Sequence, residues 1–232
     1  MKLRNALLPL AGTLALMALC TALPFLWFAL RDRQLDGAVQ TAAAARPEFL
    51  SAAGRENPVA RELYYWRERG AAEPYALASP ADPADAWAAL QPVADTLQSA
   101  GVLPASLRSA AETLAAGATA SIQDEEGFTS YTLNDDTGHY LTATVTSEGT
   151  ITAFNADLGI DPGVTSAQAL AYYRTLLGLD GFADWEDVQA RGYGAPVACY
   201  SASAQLYLAA NVYHTSLTLS VTSMSPETCA GL

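Results

Sequence analysis

Few side chains in this 232-residue chain are of a type and spacing that could carry chemistry. The histidines are His139 and His214, each at the start of or inside a stretch that alternates like a β-strand. They share no metal-ligand spacing, and the three cysteines form no Cys-x-x-Cys pair, so neither a zinc site nor any other metal centre is expected. Three loops gather carboxylates: Asn134-Asp135-Asp136-Thr137-Gly138, Asp157 through Gly163, and Asp180-Gly181-Phe182-Ala183-Asp184. Alternating acids and glycines can wrap Ca²⁺, which takes six or more oxygens. None of the three has the Asp-x-Asp-x-Asp-Gly run with a distal Glu, and Asp, Asn and Gly are also what ordinary turns use. There is no Gly-x-Ser-x-Gly elbow and no glycine-rich phosphate loop. The sole lysine is Lys2, so the rest of the chain has no P-loop lysine, Schiff-base lysine or Ser-Lys dyad. The reading is no catalytic residue, no cofactor and no enzyme.

Two other groups of residues are candidates. Cys199 and Cys229 would form a disulfide if their compartment is oxidising, tying the C-terminal tail to a strand. Such a bridge stabilises by roughly 3–4 kcal/mol on the chain-entropy account. The alternative is two unpaired thiols. Phe182, Trp185 and Tyr193 lie in an acidic, aromatic connection and form a candidate contact surface, the competing role being core filling.

The elements that must position these residues follow from hydrophobic pattern. Asn5 to Leu30 holds no charged side chain and is rich in Leu, with Trp27 near its end. A helix over residues 6–30 would reach roughly 37 Å, beyond the roughly 30 Å hydrocarbon core. The reading is an uncleaved transmembrane anchor over 5–30. Cys20-Thr21-Ala22 is a poor cleavage site, and Leu19 before Cys20 is wrong for a lipobox. Lys2 and Arg4 precede the span, which places a short flank, residues 1–4, in the cytoplasm and the main domain outside.

Residues 31–79 read as a helical stalk, in which Asn57-Pro58 opens a clean helix closed by Gly70. Residues 80–117 read as a helical segment with helices over Ala84–Ala100, perturbed at Pro92, and Pro104–Ala116. Residues 118–232 then read as an α+β extracytoplasmic domain. Strands are expected at Phe128–Leu133, His139–Thr146, Thr150–Asn155, Val197–Ser203, Gln205–Val212 and Ser216–Ser223. Between the two runs a helix starts at a capping box, Thr165 with Gln168, and ends at Gly178. The expected fold is therefore α+β: a transmembrane helix and stalk, then an antiparallel sheet or sheets of about six strands with one packed helix.

Charge narrows the partners. Residues 1–30 carry +2, residues 31–79 balance, and residues 80–232 carry −14. A domain that acidic repels nucleic-acid phosphate and anionic headgroups. The functional reading is a single-pass, membrane-anchored, non-catalytic binding module of the cell envelope with a protein or envelope partner, touching it through its Thr-rich sheet face and aromatic connection. One alternative is an envelope hydrolase using carboxylates. Another rests on a resemblance: an apolar segment, helical spine and sheet in that order are similar to pilin-like secretion proteins, which implies a minor pilin-like subunit. The chain departs from that pattern in lacking the short charged leader and in carrying Asn5 where an acid is expected.

Overall fold

Alternation decides the fold. Leu141, Ala143 and Val145 interleave with Thr142, Thr144 and Thr146, while Leu217, Leu219 and Val221 interleave with Thr218, Ser220 and Thr222. Successive strand residues point to opposite faces, so each stretch is apolar on one side and hydroxyl-bearing on the other. The computed structural model describes residues 21–24, 27, 50–69, 77–190 and 194–230. Its contacts separate Met1–Phe49 from a unit running Leu50–Leu232, and the strands all belong to the second unit.

That unit opens with two helices, α1 (Ala52–Glu56) and α2 (Pro58–Arg69), followed by β1 (Ser79–Ala81), α3 (Pro83–Ser99) and α4 (Ala105–Ala115). A four-strand meander follows: β2 (Thr119–Glu125), β3 (Phe128–Asn134), β4 (Tyr140–Thr146) and β5 (Ile151–Asp157). Helix α5 (Ser166–Leu176) leads into a second meander of β6 (Trp185–Val188), β7 (Val197–Ser201), β8 (Leu206–Tyr213) and β9 (Ser216–Ser223). A short α6 (Pro226–Ala230) ends the described chain.

Local chemistry starts the helices where it should. Asn57 Oδ1 accepts from the Ala60 N–H at 3.0 Å ahead of Pro58. Asp82 Oδ1 accepts from Ala84 N–H at 2.8 Å, with Pro83 in the first turn of α3. At α5, Thr165 Oγ1 accepts from Gln168 N–H at 3.2 Å while Gln168 Oε1 accepts from Thr165 N–H at 2.9 Å, a complete capping box. Helix α3 runs unbroken through Pro92.

All nine strands join one antiparallel sheet in the order β1-β2-β3-β4-β5-β9-β8-β7-β6. Apart from β1 the order is palindromic about the β5–β9 pair. Each half is a helix followed by a four-strand meander, α4 with β2–β5 and α5 with β6–β9. Strands β2 to β9 thus come from two units of like topology, joined where the last strands of both pair, Asn155 opposite Thr218. Both outer strands are blunt: β1 has three residues with Pro80 at its centre, and β6 has four, including Glu186 and Asp187. Short strands, proline and charge are what keep an edge from pairing with another chain.

The apolar face carries Leu133, Leu141, Phe154, Ala156, Leu208, Leu217, Leu219 and Val221, and α3, α4 and α5 pack on it through Leu90, Leu97, Leu107, Leu114, Ala169 and Tyr173. Each buried Leu, Val or Phe contributes about 1.5–3 kcal/mol. The fully buried Tyr173 hydroxyl donates to the Ile151 carbonyl at 2.6 Å, stitching the helix of the second half to the first half's β5. Loss of solvent pushes its phenol far above the ordinary range. Helix α2 crosses the turn end of the sheet: Thr150 donates to Glu62 at 2.7 Å, Arg67 to Gln205 at 2.6 Å, and Trp66 packs on Phe128 with ring centroids 5.5 Å apart. Gly127 makes that approach possible. Its φ is +82°, and a Cβ there would stand 2.0 Å from the Trp66 ring.

These findings correct the expected fold. Among the described residues there are nine strands rather than about six, they join in one sheet where the sequence left one or two open, and four helices of the second unit contribute buried residues to its core rather than one. The three strands beyond the expected six bury no residue of their own. β1 is centred on a proline, β2 (Thr-Ala-Ser-Ile-Gln-Asp-Glu) has one large aliphatic residue, and β6 hides inside an acidic connection. Each gains its backbone hydrogen bonds from an existing neighbour and needs little apolar surface of its own. Helix α2 does not stand apart as a stalk, because Leu50, Ala60 and Leu63 are buried in the same core as the sheet. Among the described residues no helix is long and apolar enough to cross a membrane, so the expected transmembrane helix is not part of the observed fold. The stretch read as a span, 5–30, lies outside the described residues except for 21–24 and 27.

Candidate interaction face

Strand parity puts the second set of side chains on the face away from α3, α4 and α5. Register lines them up in rows across the sheet. One row is Ser121, Thr132, Thr142, Asn155, Thr218 and Asn211; the next is Gln123, Ser130, Thr144, Ala153, Ser220 and Ala209. All twelve are partly exposed and none is charged. The hydroxyls and amides tie neighbouring strands together. Ser130 and Thr144 Oγ atoms are 2.8 Å apart, Thr132 and Thr142 3.3 Å, and Asn155 Oδ1 accepts from Thr218 Oγ1 at 3.0 Å and Tyr140 Oη at 3.2 Å. Cross-strand Thr–Ser and Thr–Thr pairs each add a few tenths of a kcal/mol to about 1 kcal/mol. They also hold the side chains in one geometry.

Carboxylates sit around these rows rather than within them. Asp124, Glu125 and Glu126 flank the β2–β3 turn and Glu148 the β4–β5 turn; Asp135 and Asp136 lie in the β3–β4 turn, and Glu186 and Asp187 on edge strand β6. Arg69 pairs with Glu126 at 2.9 Å. At the end of β5, burial works against ionisation of Asp157, but hydrogen bonds from Thr215, Ser216 and the Gly159 N–H outweigh it, and the carboxyl is held below its ordinary range.

At that same end is the one histidine whose orientation is strongly specified. The Asp135 carboxyl is lowered to about 2, first by the Thr137 hydroxyl at 2.7 Å and then by the N–H groups of His139 at 3.0 Å and Thr137 at 2.8 Å. Because the Thr137 hydroxyl proton goes to Asp135, its oxygen accepts from His139 Nδ1 at 2.9 Å, alongside Asp135 Oδ2 at 3.2 Å. The ring thereby holds its proton on Nδ1. Nε2 packs against Gly159, where a Cβ would stand 2.7 Å away. The ring borders a cavity of about 450 Å³ that also touches Leu114, Leu158, Ile160 and Asp136.

An oriented imidazole is one component of general-base chemistry, but hydrolysis by paired carboxyls also needs an acid whose pKa is raised. Among the described residues every carboxyl with a resolved shift, Asp135, Asp157, Asp180 and Asp184, is lowered. Among them, too, no group of three or more His, Cys, Asp or Glu is placed to hold a metal ion. Asp184 serves a turn, accepting from Ser201 Oγ and Ser203 N–H, both at 2.7 Å.

Cys199 and Cys229 are both free in the structure. Cys199 is buried on the apolar face opposite Leu208, and burial pushes its thiol up to about 11; Cys229 lies in α6 and is partly exposed. Phe182 and Trp185 are not alike in exposure. Phe182 is 7% exposed and belongs to the core. Trp185 is half-buried, its indole N–H donates to the Leu179 carbonyl at 3.1 Å, and Arg174 lies 5.9 Å from its ring. Tyr193 lies outside the described residues. Strand alternation places Tyr140, Tyr207 and Tyr213 on the hydroxyl face; Phe128 and Tyr200 share their parity, but Trp66 packs on Phe128 and Tyr200 is buried. The Asp135–Thr137–His139 cluster is legible only in part: Asp-Asp-Thr-Gly marks a turn, while the ring's orientation depends on the hairpin closing. No protein-family model, curated protein or solved structure matches this chain.

Proposed function

We propose that residues 50–230 form an extracytoplasmic, non-catalytic interaction module of the cell envelope, and that the hydroxyl face of the sheet is its contact surface. The observation that carries this reading is the pair of uncharged, partly exposed rows spanning six strands, Ser121 to Asn211 and Gln123 to Ala209. A surface of hydroxyls and amides held by cross-strand bonds loses little side-chain entropy on contact, and preorganisation of that kind favours binding. The blunted edges at β1 and β6 point the same way, because they disfavour strand addition and leave the face as the wide surface.

Two measurements test it. Protease added to intact cells should degrade the domain, and protection until the membrane is broken would defeat the placement. In pull-downs of the full chain from solubilised native membranes, Thr142→Arg with Thr218→Arg should lose the partner that wild type retains. Ser99→Arg with Thr175→Arg, on the helical side, should keep it. Equal loss from both variants would defeat the contact surface.

A further inference from the structure

The distribution of charge around the hydroxyl face identifies the kind of partner, and we infer that the face docks a folded protein whose contact surface is rimmed by lysine and arginine. The inference rests on the interaction-module reading above and adds the chemistry of the occupant.

Residues 50–232 hold seven arginines against twenty-one acids, a net −14. None of that charge enters the two central rows. Acids instead stand at three margins: Glu125 and Glu148 at one end, where Arg69 is taken up by Glu126, Asp157 at the other, and Glu186 along the β6 edge. A neutral centre within an acidic rim matches a surface with a neutral centre and a basic rim, since complementary rims steer encounter and fix register. The same charge turns away anionic lipid and nucleic acid. It also turns away a second copy of this chain, whose rim would oppose like with like.

The centre favours protein over a neutral glycan. Its Tyr, Ser, Thr and Asn side chains are those of paratopes, where tyrosine provides rigid amphipathic contact and small polar residues provide adaptable hydrogen bonds. Tyr140, Tyr207 and Tyr213 stand on the face in this role, and Tyr213 is 45% exposed beside His214, with ring centroids 4.2 Å apart. A glycan would gain nothing from the acidic rim. The palindromic sheet divides the contact between the halves, β2–β5 giving one side and β7–β9 the other.

The experiment is site-specific photo-crosslinking in the full chain in its native membrane, with benzoylphenylalanine at Thr142 or Thr218 and, as controls, at Ser99 or Thr175. The expected result is one protein crosslinked from the face positions only. The complex, re-formed from purified components, should weaken roughly tenfold or more between 50 and 500 mM salt. Glu125→Gln with Glu148→Gln, exposed turn positions that leave the fold intact, should slow its association. A face crosslink to a glycan or to a second copy, or an affinity indifferent to salt, overturns the basic-protein assignment and leaves the contact surface standing. Crosslinks from the control positions alone, or none from the face, overturn both.

Discussion

The two faces of this sheet are built from the same strands, and a residue's face is decided by whether its number is odd or even within the strand. On one, Leu141, Phe154, Leu208 and Leu219 meet helices and lose nearly all contact with water. On the other, Thr132, Thr142, Asn155 and Thr218 stay partly exposed and hydrogen-bond in cross-strand pairs, Thr132 with Thr142 and Thr218 with Asn155. The lesson is that stability and recognition are separated by strand parity. The apolar face provides most of the folding free energy. The hydroxyl face is relieved of that task and can tolerate change.

That division can be broken or sharpened experimentally. The largest contrast is all-or-none. With a thiol-reactive maleimide and peptide mapping, Cys229 is labelled in the folded chain, whereas Cys199, buried on the apolar face with its thiol pushed up to about 11, is labelled only after unfolding. Equal labelling of both in the native state would mean the apolar face is open. Next, Phe154→Ala on the apolar face should destabilise by about 3–5 kcal/mol in urea titrations, the cost of lost transfer energy plus a cavity.

A pH series follows in size. Asp135 has its folded pKa depressed to about 2 from an ordinary value of 3.8, so the stability it contributes is present above pH 3.8 and disappears as pH falls towards 2. Asp135→Asn should therefore be less stable than wild type at neutral pH, with the two urea midpoints converging by pH 2. Parallel curves would remove the hydrogen-bonded turn from the account. The smallest effect expected is Thr144→Ala, on the hydroxyl face, which should change stability by no more than about 1 kcal/mol, the worth of its cross-strand pair with Ser130. A loss near that of Phe154→Ala would erase the distinction between the faces.

Much of the fold is legible in short stretches of sequence, and particular residues show why. The caps at Asn57 and Thr165 act within three residues, so sequence alone specifies them. The alternation in β4, β8 and β9 is a local pattern of period two and appears as such in the sequence. Strands β2 and β6 are not legible in this way, since neither alternates cleanly or buries a side chain, and each is held chiefly by backbone pairing with the strand that follows it. The aromatic connection misleads for a related reason: Phe182 and Trp185 look the same in sequence whether they face solvent or fill a core, and here the core took Phe182. The His139 orientation needs the β3–β4 hairpin to bring Asp135 and Thr137 round to the ring.

The amino-acid sequence by itself determined which residues share a face and where helices begin, because parity and capping act over a few residues. Tertiary structure alone decided that two strand runs join through β5 and β9 into one sheet, that a repeated helix-and-meander topology underlies it, and that the polar rows of one face stay partly exposed. Strand partners more than sixty residues apart leave no local signature, and only the closing of the core selects them.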